Sequence, residues 1–249
     1  MKFGVCHLGL VPLRKEKAHQ SEQTSQVLYG EIFKIIDERK DWFKVRLQWD
    51  QYEGWITKNQ AIQITKEDYK LIEQSPLITS HNLIDFIHLP NNEIFPIPIG
   101  SDLRPLSLLN HTLENKGTPL KKTKAALLQT AYQYLHAPYL WGGKTPIGVD
   151  CSGFTQMVYK IHGIPLQRDA YQQADQGTTL SFIEESEPGD LAFFDNQDGK
   201  IIHVGILLQD NFIIHAHGKV RIDRIDQTGI FNKELNIHSH KLRLIKSIL

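Results

Sequence analysis

Cysteine is scarce in this sequence, which has only Cys6 and Cys151 among its 249 residues. Small secreted domains that depend on disulfides use more cysteines in shorter chains. A disulfide scaffold is therefore excluded as the basis of the fold. Two isolated thiols instead fit a reducing compartment or a single reactive cysteine.

Long apolar runs and a surplus of one charge are also missing. No segment approaches the roughly 20 apolar residues of a membrane-spanning helix, and His7, Pro12 and the charged residues 14–17 interrupt any signal-peptide pattern. The 28 basic and 28 acidic residues cancel, whereas nucleic acids and anionic membranes attract basic surfaces. We therefore expect a cytoplasmic protein without nucleic-acid or membrane partners. Its oligomeric state stays open.

Short β-rich segments with aromatic residues occupy the first quarter of the chain. Trp42–Leu47 alternates apolar and polar residues, and residues 53–56 follow a polar turn. This pattern predicts a small β-barrel domain over residues 1–65. Residues 66–117 contain two candidate strands, at 83–87 and 94–99, and we interpret them as a connector or a reduced second barrel.

Helical periodicity starts after residue 117, which predicts a separate α+β domain over residues 118–249. Thr118 and Pro119 resemble a helix cap and a first helical proline. Apolar residues from Leu127 to Leu135 then recur at helical spacing. This helix should end before Pro138.

Cys151 is the first candidate for chemistry, because a helix is predicted to begin at this residue. Phe154, Met157, Val158 and Ile161 follow it at helical spacing, and Asp150 precedes it as a cap. The positive end of a helix favours a thiolate, and its first amides can stabilise an oxyanion. The position therefore suits a nucleophile, although a lone cysteine is most often a core residue.

Two histidines on neighbouring strands are candidates for the base. Residues 202–206 and 213–217 read as strands, and the three residues between Leu208 and Phe212 read as a turn. A three-residue loop would place Gly205 opposite His215 and bring His203 and His215 onto one face. A loop one residue shorter would separate them.

In this interpretation, His203 takes the Cys151 proton, and His215 orients the His203 ring as a third catalytic residue. His217 would share their face and competes for the orienting role. A zinc site built from these residues is the alternative, but it lacks the closely paired ligands of such sites. We therefore expect no metal and no other cofactor.

Ordered motifs in the second half resemble those of the NlpC-type cell-wall cysteine peptidases. The matching segments are Leu140–Gly143, Asp150–Phe154, Arg168–Ala170, Pro188–Phe194 and His203–Ile206. The first domain is similar to bacterial SH3-like domains at residues 42–46 and 52–56. The resemblance implies an α+β, papain-like peptidase domain, with helices packed on an antiparallel sheet, preceded by an SH3-like β-barrel.

The pairing of domains resembles the γ-D-glutamyl-L-diamino acid endopeptidases, which recycle cell-wall peptides. The resemblance implies a substrate with a free N-terminal L-alanine and a diamino acid that the sequence does not identify. It also implies substrate contacts, which map to Tyr52, Glu16, Asp150, Ser152, Asp169 and Trp141.

Two alternatives remain open at this stage. One is a hydrolase of the same fold that acts on intact peptidoglycan, and the other is a non-catalytic protein that binds peptidoglycan peptides. The absence of an export pattern weighs against the first, and the joint presence of Cys151, His203 and His215 weighs against the second.

Overall fold

The structure is a computed structural model that describes residues 2–114 and 119–249. The chain divides into two compact units, Met1–Leu120 and Lys121–Leu249. No helix within the described ranges combines the length and the hydropathy needed to cross a membrane.

The first unit is built on a seven-stranded antiparallel sheet. Its strands are β1 (Lys2–Val5), β2 (Leu10–Arg14), β3 (Gln23–Leu28), β4 (Ile32–Glu38), β5 (Trp42–Leu47), β6 (Glu53–Thr57) and β7 (Ile62–Ile64). Their spatial order is β3-β2-β6-β5-β4-β1-β7. The alternating residues Phe43, Val45 and Leu47 of β5 are buried in its apolar core. The predicted small barrel is thereby confirmed, with β5 over the expected residues.

Residues 66–114 belong to the same compact unit. They form helix α1 (Lys66–Gln74), which packs on β1, and a hairpin of β8 (Ile84–His88) and β9 (Ile94–Pro98). The two strands were predicted, but the helix was not. Thr65 caps α1 by accepting a hydrogen bond from the Asp68 amide at 3.0 Å, a local signal that the sequence interpretation overlooked.

The second unit contains three α-helices and two antiparallel sheets, one of two strands and one of seven. The helices are α2 (Lys124–Gln133), α3 (Cys151–Ile161) and α4 (Ala170–Gln173), and a small hairpin joins β10 (Lys144–Thr145) to β11 (Gly148–Val149). Helix α2 ends before Pro138, as expected. It does not begin at Pro119, because Thr123 is its cap and accepts from the Ala126 amide. The predicted cap Thr118 lies outside the described residues.

The remaining strands of this unit form a second antiparallel sheet. They are β12 (Thr178–Leu180), β13 (Leu191–Asp195), β14 (Ile201–Leu207), β15 (Phe212–His217), β16 (Lys219–Ile225), β17 (Gly229–Asn232) and β18 (Ile237–Ser247). Strands β13 to β18 pair in sequence, and β18 pairs with both β13 and β17, which closes them into a ring. We call β13 to β18 the strand ring. Helix α3 packs against β14 and β15.

Candidate active site

Cys151 is the first residue of α3, as the sequence predicted, and Asp150 is its cap. The Gly153 amide donates to Asp150 Oδ1 at 2.6 Å, and the Gly142 amide donates to Oδ2 at 2.8 Å. A side chain at Gly153 would come within 2.1 Å of the Gly143 carbonyl oxygen. The glycines therefore let the loop of residues 140–143 lie directly on the start of the helix.

Buried Arg168 links the residues at the start of α3 by hydrogen bonds. Its guanidinium donates to both oxygens of Asp150, at 3.0 and 2.6 Å, and to Ser152 Oγ at 3.0 Å. The side chains of Arg168 and Asp150 are 1% and 8% exposed. A buried carboxylate with this many donors is held in one orientation, so the cap and the first turn of α3 are rigidly placed.

Helix α3 differs from the predicted amphipathic helix in one respect. Its apolar face is buried as expected, but the opposite face is buried too. Thr155 donates to Gln173 Oε1 at 2.7 Å, and Gln156 donates to the Leu166 carbonyl at 3.1 Å. Internal hydrogen bonds thus replace water on the polar face, and the helix that carries Cys151 is enclosed on all sides.

The β14–β15 hairpin has the predicted register. Gly205 lies opposite His215 and Leu207 opposite Ile213, and the Leu208 amide donates to the Phe212 carbonyl at 2.8 Å. Asp210 and Asn211 adopt positive φ values of 57° and 58°, which residues of this type tolerate in tight turns. His203 and His215 therefore share one face of the sheet, the inner face of the strand ring.

A chain of hydrogen bonds runs from His203 to Asp223. His203 Nε2 lies 2.8 Å from His215 Nδ1, and His215 Nε2 lies 3.0 Å from Asp223 Oδ2. Arg221 also donates to both Asp223 oxygens, at 2.6 and 2.9 Å. The predicted His203–His215 pair is brought together, and β16 supplies a carboxylate that the sequence interpretation missed.

The charge on Asp223 determines which nitrogens carry protons. Burial raises the pKa of Asp223, but hydrogen bonds from His215 and Arg221 outweigh it and lower the pKa to about 2. An ionised carboxylate can only accept, so His215 Nε2 carries a proton. Burial lowers the pKa of His215, so this ring is neutral and its Nδ1 accepts from His203 Nε2. The remaining nitrogen, His203 Nδ1, is then unprotonated and can act as a base.

The sulfur of Cys151 is buried against the strand that carries His203. Backbone N–H groups of Ser152 and of Val204, the residue after His203, point to it. Burial and the Asp150 carboxylate nevertheless raise the pKa of the Cys151 thiol to about 12. The expected lowering by the helix start is thus outweighed by desolvation.

His203 is likewise neutral in the substrate-free protein. Burial lowers the pKa of His203 well below its ordinary value, and the neighbouring histidines act in the same direction. Burial thus disfavours the charged form of each group taken alone. The resting site accordingly holds a neutral thiol and a neutral imidazole.

The sequence interpretation assigned no role to two further side chains, His240 and Tyr139. The ring of His240, on β18, stacks on His203 at a centroid distance of 4.2 Å. Burial, Cys151 and Asp150 raise the pKa of Tyr139 to about 12, so its hydroxyl stays protonated at ordinary pH. Tyr139 adjoins the quoted Leu140–Gly143 motif and could have been found there. His240 had no such signal.

The other predicted residues are placed as follows. Trp141 is 61% exposed, in the loop that contacts the start of α3. The Asp169 amide donates to Gln172 at the start of α4. Tyr52 packs on the core of the first unit, and Glu16 is exposed in its β2–β3 turn. Exposed His217 lies 6.5 Å from His203 between ring centroids.

A metal site was also considered for the histidine cluster. Among residues 2–114 and 119–249, no three or more His, Cys, Asp or Glu side chains are arranged to share a metal ion. Hydrogen bonds link His203, His215 and Asp223 to one another, and His240 bonds to Ser239.

Comparison with known families decides the identity of the two parts. Residues 136–239 match the NlpC/P60 family, and residues 13–60 match the bacterial dipeptidyl-peptidase SH3 domain. The chain carries an NlpC/P60 domain. The SH3-like domain precedes it, so the family resemblance inferred from the motifs is confirmed.

Curated relatives of this chain include two enzymes of Bacillus. It is 29% identical to the γ-D-glutamyl-L-lysine dipeptidyl-peptidase of Bacillus cereus, over 77% of this chain and 66% of the relative. It is 28% identical to the enzyme of the same name from Bacillus subtilis, over 85% and 78%. The chain thus spans roughly two thirds to four fifths of their lengths. These matches support a hydrolase of the peptidase class.

A solved structure confirms the fold. The crystal structure of an NlpC/P60 family protein from Bacillus cereus superposes with a TM-score of 0.83 at 20% identity, covering 99% of both chains. The α+β architecture with an SH3-like first part is therefore confirmed.

Proposed function

We propose that this protein is a cysteine peptidase that hydrolyses the γ-D-glutamyl–L-diamino acid bond of small cell-wall peptides with a free N-terminal L-alanine. The observation that carries the proposal is the hydrogen-bonded chain from His203 through His215 to Asp223, from which an unprotonated His203 Nδ1 follows. The strand that carries this base also contacts the Cys151 sulfur at Val204. A thiol nucleophile and a correctly protonated base are the two groups that amide cleavage by cysteine needs.

In the first step, His203 Nδ1 takes the thiol proton while Cys151 Sγ attacks the γ-carbonyl carbon of D-glutamate. The imidazolium is stabilised through His215 and the Asp223 carboxylate. The developing oxyanion is stabilised by first-turn amides of α3 and by the protonated Tyr139 hydroxyl. His203 then returns its proton to the leaving amine, and the C–N bond breaks to leave a thioester.

In the second step, water attacks the thioester carbonyl, and His203 Nδ1 accepts the water proton. The C–S bond breaks, the sulfur takes the proton back, and the γ-carboxyl of D-glutamate is released. The neutral resting pair is thereby restored. Because proton transfer and attack occur together, a preformed thiolate is not required.

Substrate choice is the finer part of the proposal. The names of the two Bacillus relatives support a γ-D-glutamyl-L-lysine bond as the target class. A free ammonium group is recognised by carboxylates, for which Glu16 and Asp169 are the proposed residues, with Tyr52 and Trp141 as apolar contacts. Asp150 and Ser152 already bond to Arg168, so we assign them to the geometry of the site first.

The test offers purified protein L-Ala-γ-D-Glu-L-Lys with either a free or an acetylated N-terminus. We expect cleavage of the free peptide alone, and its loss in Cys151→Ala. The matched control is Cys6→Ser, which changes the other buried thiol and should retain activity. Equal cleavage of both peptides would reject the ammonium recognition, and full activity of Cys151→Ala would reject the mechanism.

A cytoplasmic location and a role in recycling stay predictions. Fractionation of cells that express the chain, with activity on the free tripeptide measured in each fraction, tests them directly. Activity confined to the extracellular fraction would contradict both.

A further inference from the structure

We propose that His240 is a positioning residue for the proposed reaction, because its ring, stacked on the face of His203, fixes the plane of the imidazole that serves as the base. The inference rests on the proposed function only in naming His203 as that base. The stacking itself belongs to the second unit, where both residues lie on the inner face of the strand ring.

The contacts around His203 divide between the edge and the face of its ring. His215 holds one edge through the 2.8 Å hydrogen bond at Nε2, with the two rings at 84°. One hydrogen bond directs that nitrogen but leaves the ring free to tilt about the bond. His240 stacks on one face, with centroids 4.2 Å apart and planes within 27°, while the Phe194 ring packs more loosely at 5.7 Å and 45°. The stacked ring opposes the tilt and so aims Nδ1.

His240 is itself held in place by its surroundings. Its Nδ1 lies 2.9 Å from Ser239 Oγ, and its edge meets the Phe194 ring at 6.0 Å and 68°. The backbone of β18 here pairs with β17, opposite Ile230. A Cβ at Gly229 would come within 1.8 Å of the His240 carbonyl oxygen, so the two strands approach closely at this point. Because the His240 ring is itself held in place, it can restrict the orientation of the His203 ring.

The charge of His240 suits this role. The titratable groups that face it are His203 on β14, His215 and His217 on β15, and Asp223 on β16. Burial, followed by repulsion from His215 and His217, lowers the pKa of His240 to about 4. The ring is therefore neutral at ordinary pH and adds no like charge when His203 becomes an imidazolium.

The test compares two variants of similar volume in the full chain. His240→Phe keeps a flat ring that can stack, whereas His240→Leu fills the space without one. We expect His240→Leu to lower kcat on the free tripeptide on the order of tenfold, with KM within about twofold, since misplacement of a catalytic group acts on the chemical step. His240→Phe should stay within about threefold of the parent kcat.

A second readout needs no peptide substrate. Iodoacetamide alkylates Cys151 faster when a correctly aimed base takes the thiol proton, and peptide mapping separates this reaction from that of Cys6. We expect the same order of rates, with parent and His240→Phe fast and His240→Leu slow. His238→Ala is the control, because His238 lies on the same strand but contacts Asp226 and the Phe231 ring, outside the histidine cluster.

The kinetic and alkylation rates of these variants either support or reject the positioning role of His240. Equal rates for the Phe and Leu variants, whether both fast or both slow, would overturn the positioning role. A parent that cleaves no tripeptide, but whose alkylation follows the expected order, would reject the proposed function and leave the positioning role supported.

Discussion

Asp223 determines the tautomer of His203, although two hydrogen bonds and the whole ring of His215 separate them. The ionised carboxylate can only accept, so His215 Nε2 donates to it. His215 Nδ1 must then accept, and His203 Nε2 donates to it. The tautomer that the proposed mechanism needs is thus set by a residue on β16 that does not touch His203.

Replacing Asp223 by asparagine should therefore reverse the donor and acceptor roles along these hydrogen bonds. The asparagine amide can donate to His215 Nε2, which would leave His203 Nδ1 protonated and unable to act as a base. We expect kcat to fall on the order of 100-fold or more. Nitrogen NMR of the His203 ring would report the tautomer directly. Asp226→Asn, at an exposed Asp–His contact of 2.9 Å, is the matched control, and an unchanged tautomer in Asp223→Asn would contradict the assignment.

The roles of His215 and His217 can be separated in the same way. His215 is 1% exposed and bonded on both nitrogens, whereas His217 is exposed and contacts the cluster only by ring packing. We expect His215→Ala to lower kcat on the order of 100-fold and His217→Ala to change it less than about threefold. Steady-state kinetics of both variants decides the matter, and the reverse order would make His217 the orienting residue.

The buried histidines should make the second unit sensitive to acid. Burial lowers the pKa values of His203, His215 and His240 in the folded state, while unfolded histidines titrate near about 6.5. As pH falls below about 6.5, the unfolded chain binds more protons, so the free energy of unfolding decreases. Above that pH, this contribution is fully present.

His240→Phe removes one of these groups and should lose less stability between about pH 7 and about pH 5 than the parent. The measurement is the urea midpoint, read from methyl NMR signals of Val204 and Ile206 so that it reports the second unit alone. The exposed His238→Phe should behave as the parent does. A parent midpoint that does not fall on acidification would count against neutral buried histidines.

Arg168 is expected to dominate the stability of the helix start. Arg168→Met leaves the Asp150 carboxylate buried without its guanidinium, which should cost about 3–5 kcal/mol. Asp150→Asn in the same chain should recover part of this loss, because the two changes share one network. Arg46→Met breaks a half-exposed pair with Glu53 and should cost about 0.2–1 kcal/mol in the first unit. Equal costs in urea unfolding would contradict the network.

The parts of the site that were predicted correctly depend on short-range rules. Loop length and strand alternation placed Gly205 opposite His215, and capping preferences placed Cys151 at a helix start. Both patterns extend over fewer than about 15 residues, a range in which local geometry dictates the outcome.

The parts that were missed depend on contacts between distant strands. Asp223 reaches His215 because β16 pairs with β15, and His240 reaches His203 because β18 closes the ring against β13. Register shifts at Phe193/Phe194 in the β13–β18 pair and at Ile230/Phe231 in the β17–β18 pair help to determine which side chains of β18 face inward, and such bulges leave little trace in alternation. The start of α2 was misplaced for a simpler reason, since Thr123, which caps the helix, is by sequence no better a cap than Thr118.

Closure of the strand ring by β18 also has a consequence for biosynthesis. Until residues 237–247 are made and docked, the ring is open, because β13 and β17 each lack their β18 partner. Unpaired strand edges make folding intermediates prone to aggregation. Docking of β18 should therefore protect the second unit from misassembly as well as place His240 beside His203.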